Sequence, residues 1–121
     1  MAATTASLVL LSGSTNGRPI KVVATSTAGT LIHTATSTAG DMDRIYLYAA
    51  NTSAASVKLT LEWGGVTSPD DLLEFQIPSE SGARLIVDGA PLAGGLIARA
   101  FAASGDVINI IGRVIRVEAN T

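Results

Sequence analysis

His33 is the only histidine in the chain, which also carries ten Asp and Glu residues and no cysteine. These groups set what acid–base, nucleophilic or metal chemistry is open to the molecule. General acid–base catalysis needs convergent side chains with tuned proton affinities. His33 lies in Leu31-Ile32-His33-Thr34, beside apolar residues, which is the setting of a structural histidine. One arrangement would give it chemistry, namely convergence with the pair Asp41 and Asp43. Otherwise Asp41/Asp43 and Asp70/Asp71 read as turn carboxylates, because Asp bonds its own local backbone in turns and caps. A calcium site takes six or more oxygens, and neither pair sits in the spaced array of an EF-hand loop. The sequence contains no Gly-x-Ser-x-Gly elbow, no Walker-type phosphate loop and no Gly-x-Gly-x-x-Gly. Without thiols there is neither a disulfide framework nor a thiolate metal site. The sequence thus predicts no catalytic residue, no metal and no cofactor.

The aromatic set is Trp63, Tyr46, Tyr48, Phe75 and Phe101. Trp63 continues the alternating Val57, Leu59 and Leu61, which predicts core or rim packing. Tyr46 and Tyr48 project opposite Ile45 and Leu47, so they are candidates for an exposed protein contact surface. A carbohydrate platform built from Trp63 and the tyrosines is a further reading. Asn51-Thr52-Ser53 matches a glycosylation acceptor, without consequence in a chain that lacks a secretory leader.

These residues must be positioned by short elements, because Gly, Pro, Asn and Asp punctuate the chain throughout. Most pieces carry β-branched residues with period two. The candidates are Ser7 to Ser12, Pro19 to Thr25, Thr30 to Thr34, Asp43 to Asn51, Val57 to Trp63, Leu72 to Ile77, Arg84 to Asp88, Leu96 to Ala103 and Val107 to Val117. Asn16-Gly17 predicts a turn with positive φ. The segments 43–51 and 57–63 are expected to pair as a hairpin, and Ser104-Gly105-Asp106 is expected to join the last two strands as a short hairpin turn. Gly89 to Gly95 reads as a connector. The echo Ala24-Thr25-Ser26-Thr27-Ala28-Gly29 and Ala35-Thr36-Ser37-Thr38-Ala39-Gly40 reads as two similar polar turns, since a repeat array needs at least three units. The last strand is apolar on both faces, so one face needs cover from a loop, an arm or a neighbouring subunit.

About nine short strands without helical periodicity give the fold class: all-β, a single-domain antiparallel β-sandwich or small barrel, jelly-roll-like. The 121 residues suffice for one core. Residues 1–7 are expected to form a flexible N-terminal arm and 8–121 the β-sandwich domain. Hydrophobic residues make up 47% and charged residues 15%, which excludes a disordered chain. Only 4% are aromatic, and Ala, Thr, Ser and Gly dominate, so the core is thin in side-chain volume. The eight Lys and Arg residues are scattered and the net charge is -2, which argues against nucleic acid as a partner. No run approaches the length of a membrane span.

The run Asp43-Arg44-Ile45-Tyr46-Leu47-Tyr48-Ala49-Ala50-Asn51 into Val57-Lys58-Leu59-Thr60-Leu61-Glu62-Trp63-Gly64-Gly65 resembles the small virion proteins of tailed bacteriophages. So does Gly95-Leu96-Ile97-Ala98-Arg99-Ala100-Phe101 with Ile110-Ile111-Gly112-Arg113-Val114. The chain is most similar to capsid decoration, or cement, proteins. That resemblance implies a non-enzymatic protein on the outside of the head, made in the host bacterial cytoplasm and often trimeric. Its partner would be the major capsid protein. A tail- or fibre-associated β-module is the alternative within the same class. Candidate contact residues are Ala2, Ala3, Thr4 and Thr5 of the arm, with Tyr46, Tyr48 and Trp63.

Overall fold

The structure, a computed structural model, describes residues 3–120. It contains nine strands: β1 (Ala3–Val9), β2 (Ile20–Lys21), β3 (Thr30–Thr34), β4 (Met42–Asn51), β5 (Val57–Trp63), β6 (Leu72–Ile77), β7 (Arg84–Leu92), β8 (Ile97–Ala102) and β9 (Ile108–Asn120). All pairings are antiparallel. One sheet runs β1-β9-β4-β7, with β2 also on β9, and the other runs β3-β8-β5-β6. β1 lies along Val114 to Asn120 and β2 along Asn109 and Ile110, so they act as one interrupted strand on the same strand. Counted that way, the chain is an eight-stranded jelly roll, the sandwich expected from its strand spacing.

The core follows from alternation. Ile45, Leu47 and Ala49 of β4 and Ile108, Ile110 and Val114 of β9 point inward from the larger sheet. Leu59 and Leu61 of β5 and Ala98, Ala100 and Ala102 of β8 point inward from the smaller one. The three alanines are fully buried, and their small volume requires the sheets to approach closely to reach interior packing density.

Four expectations from sequence are corrected. Of the flexible arm expected over residues 1–7, residues 3–7 belong to β1 and pair with Arg116 to Asn120 of β9. The hairpin between 43–51 and 57–63 does not form, because β4 pairs with β7 and β9 while β5 pairs with β6 and β8. The 103–107 segment likewise carries the chain from β8 in one sheet to β9 in the other. Strict alternation is satisfied equally by two strands side by side and by two strands facing each other across a core, and here the second arrangement holds. The connector 89–95 also changes its reading, since Gly89 to Leu92 continue β7 along the edge of the sheet. Pro91 is tolerated there because an edge strand need not donate outward.

Asn51 clips the crossing from β4 to β5. Its Nδ2 donates to the carbonyls of Ala55 at 2.8 Å and Ile77 at 2.9 Å, and its Oδ1 accepts the Ser53 N–H at 2.9 Å. Only 2% of Asn51 is exposed, so the formal glycosylation acceptor is a buried clip. Asn51→Ala leaves buried carbonyls without donors and is expected to lower stability by about 2 to 3 kcal/mol, read from the urea midpoint. A loss under about 0.5 kcal/mol would show that the crossing holds without it.

The two outer faces differ. On the four-stranded sheet the 22–29 connection folds over β5 and β8: Ala102 N–H donates to the Ala24 carbonyl at 3.1 Å. Glu62 of β5 accepts the Gly29 N–H at 2.6 Å and the Thr27 hydroxyl. Thr60 and Glu62, which alternation alone puts in solvent, are therefore buried. The outer face of the five-stranded sheet has no comparable cover among the described residues.

Candidate interaction surface

On that open face the register sets side chains in rows across the strands. Ala6, Val117 and Met42 form one row, Leu8, Ile115 and Arg44 the next, then Arg113 with Tyr46, and Ile111 with Tyr48 and Leu85. Leu8, Leu85 and Met42 are exposed by 66%, 49% and 36%, large values for apolar side chains sharing one face. Ile111, Ile115, Tyr46 and Tyr48 are half-buried by their neighbours. The Arg113 guanidinium stacks on the Tyr46 ring at 4.5 Å from its centroid, a cation–π contact that fixes both groups at the surface. Tyr46 also lies over Gly89, whose φ of 81° bends β7 at a bulge; a Cβ there would meet the ring at 3.0 Å.

Tyr46 and Tyr48 thus project opposite Ile45 and Leu47, half-buried on the outer face. Trp63 does not join them. It ends β5, packs half-buried against the core, and its Nε1–H donates to the Pro91 carbonyl at 3.4 Å, closing the edge of the sandwich. Trp63 thus sits on a different surface from the two tyrosines, so no platform shared by all three is built. Ala3, Thr4 and Thr5 pair in β1 with Asn120, Ala119 and Glu118. Ala2 lies outside the described residues.

His33 and Asp43 do converge. Asp43 Oδ2 lies 2.7 Å from His33 Nε2, and both side chains are buried. The Ser12 N–H donates to His33 Nδ1 at 3.0 Å, which requires a lone pair there and places the ring hydrogen on Nε2, donating to Asp43. Asp43 further accepts Arg116 Nε at 2.8 Å, Arg116 Nη2 at 3.0 Å and the Thr36 N–H at 3.1 Å. Burial pushes the Asp43 carboxyl up, but the hydrogen bonds from Arg116 and His33, the Arg116 charge and the Thr36 N–H together outweigh it and hold it below the usual value of 3.8. In turn the hydrogen bonds that Arg116 donates to Asp43 raise Arg116 above its ordinary value.

Asp41 stands apart from this cluster and accepts the Ala119 N–H at 3.0 Å. Both ring nitrogens of His33 are committed to protein partners, so the cluster joins β3, β4, β9 and two connections rather than presenting an open base. Asp71 accepts the Thr67 N–H at 3.1 Å, as a turn carboxylate does. Among the described residues no three His, Asp or Glu side chains gather as a metal site.

No family model, curated protein or solved structure matches this chain. The site therefore stands on its own geometry. Sequence reading missed Arg116 and the cation–π pairing of Arg113. Both follow from the β4–β9 register, which sets Asp43 against Arg116 and Tyr46 against Arg113; two basic residues three apart in an apolar strand, Arg113 and Arg116, and so on its opposite faces, were the available signal.

Proposed function

We propose that this chain is a non-catalytic structural virion protein that decorates the outside of a tailed-phage head. It binds the major capsid protein and associates with itself as a homotrimer. The observation that carries this reading is the uncovered face of the five-stranded sheet, where Leu8, Met42, Tyr48, Leu85 and Ile111 share one surface. Contiguous apolar faces of this kind mark association sites, and tyrosine is enriched at their centres. Arg44, Arg113 and Lys21 against Asp88 give the same face a cationic surplus, suited to an acidic partner surface. The jelly roll supplies a rigid frame for it, and the resemblance of the two sequence runs to decoration proteins supplies the partner.

The test is co-sedimentation with purified heads that lack the protein. Wild type is expected to pellet with heads, and the double variant Tyr48→Ala, Leu85→Lys to bind about 30-fold more weakly with an unchanged melting temperature. Sedimentation equilibrium should give three times 12.3 kDa for the free or head-released protein. Equal pelleting of the double variant, or no pelleting of wild type, would overturn the reading.

A further inference from the structure

A cavity opens where the 12–19 loop and β2 meet the start of β3. It is an open cleft of about 720 Å³, within the range of small-molecule sites. Arg18 and Lys21 line it and no carboxylate does. Among the described residues neither cation forms an ion pair, although the chain has more acids than bases.

The uncharged lining is also biased toward donors. Thr30 Oγ1 accepts two backbone N–H groups, from Val23 at 3.2 Å and Ala24 at 3.1 Å, which fills both lone pairs and leaves its hydroxyl hydrogen to donate. Ser12 Oγ accepts the Thr34 N–H at 2.7 Å and keeps its hydrogen. Asn109 contributes an amide. Arg18 is held in place by a tight turn: its N–H donates to the Thr15 carbonyl at 3.0 Å, and the central residues Asn16 and Gly17 have φ of 53° and 84°, the signs of a type I′ turn. Gly13 lets this loop press on β3, since a Cβ there would stand 2.3 Å from the Leu31 carbonyl oxygen.

From these observations we infer that the cleft is a binding site for a small oxyanion-bearing molecule, a sugar carrying a carboxylate or a phosphate. Arg18 and Lys21 hold the anion, and the Ser12, Thr30 and Asn109 side chains bond the ring hydroxyls. Guanidinium and ammonium donors form short, charge-assisted bonds to either oxyanion, and the remaining donors match a polyhydroxylated body. The cleft shares Lys21 with the cationic surplus of the open face, but it requires no residue of the apolar rows, and the Tyr48→Ala, Leu85→Lys test of head binding leaves it intact.

Titration of the whole protein with glucuronate, glucose 6-phosphate and neutral glucose, followed by amide chemical shifts, tests it. Saturable shifts confined to residues 12–21, 30–31 and 109 are expected with at least one of the two anions at millimolar concentration, and the arm that responds identifies the oxyanion. Neutral glucose should produce none. Arg18→Ala and Lys21→Ala, both at exposed positions, should each weaken binding about ten-fold without changing the melting temperature. Absence of shifts with both anions, equal shifts with glucose, or undiminished binding in both the Arg18→Ala and the Lys21→Ala protein would overturn the proposal.

Discussion

Replacing Asp43 by Ala is expected to destabilise the fold by about 3 to 5 kcal/mol and to lower its melting temperature by about 10 to 20 °C. Four N–H donors converge on this one carboxylate, from His33, Thr36 and twice from Arg116. Arg116 is 28% exposed and can recover solvent, but the His33 and Thr36 donors are buried and would be left unpaired. The cluster also links the two sheets, since His33 belongs to β3 and Asp43 and Arg116 to β4 and β9.

The same carboxylate gives a pH signature. Its folded-state value lies below 3.8, so its stabilising contribution is complete above the unfolded value and is lost as pH falls through the lower, folded one. Wild-type stability should therefore decline on acidification below about pH 4. Asp43→Asn keeps the shape and removes that titration, so the stability gap between the two proteins should narrow steadily through this window. A constant gap, or an Asp43→Ala protein melting within about 3 °C of wild type, would show that the cluster contributes little.

A second large effect is expected at Gly112, in the middle of β9. A Cβ built there would lie 2.0 Å from the Tyr46 carbonyl oxygen and 3.2 Å from Leu47 Cα. Those are backbone atoms of β4, paired with β9 over ten residues, so neither can yield without opening the central ladder. Gly112→Ala is expected to destabilise by about 4 kcal/mol or more, the range reserved for forced backbone displacement in a packed interior. Gly82 is the control. It has a φ of 77° and nothing within 4 Å of its Cβ position, so Gly82→Ala should lose only about 1 to 2 kcal/mol from left-handed strain. Equal losses in the two variants, measured by denaturant unfolding, would mean that β4 and β9 are not held as closely as their geometry implies.

Much of the strand inventory was legible because alternation is a local property. Val57, Leu59 and Leu61 against Lys58 marks β5 without reference to any partner, and Asn16-Gly17 marks its turn by backbone chemistry alone. Partner choice was not legible. The inward stripe Ile45, Leu47 and Ala49 looks the same whether β5 lies beside it or across the core from it, and what decides the matter is Asn51 reaching the carbonyl of Ile77, 26 residues away. Burial of Glu62 was hidden for a related reason: it depends on Gly29 and Thr27 folding back over a sheet that had yet to be assembled. Of the candidate contact residues, Tyr46 and Tyr48 were readable from strand parity. The cationic cleft was not, because Arg18 and Lys21 acquire Ser12, Thr30 and Asn109 as neighbours only through the fold.

The position of β9 in the larger sheet has a consequence for how the molecule is made. It pairs directly with β1, β2 and β4, yet it follows all of them in the chain. During synthesis β1 and β2 emerge long before the one strand they join and β4 has only β7 to pair with, and of the sheet contacts only β5 with β6 links consecutive strands. Topologies dominated by such distant pairings fold slowly, on millisecond to second timescales. The nascent chain therefore carries unpaired apolar strands until its last strand leaves the ribosome, the interval in which a chaperone has most to protect.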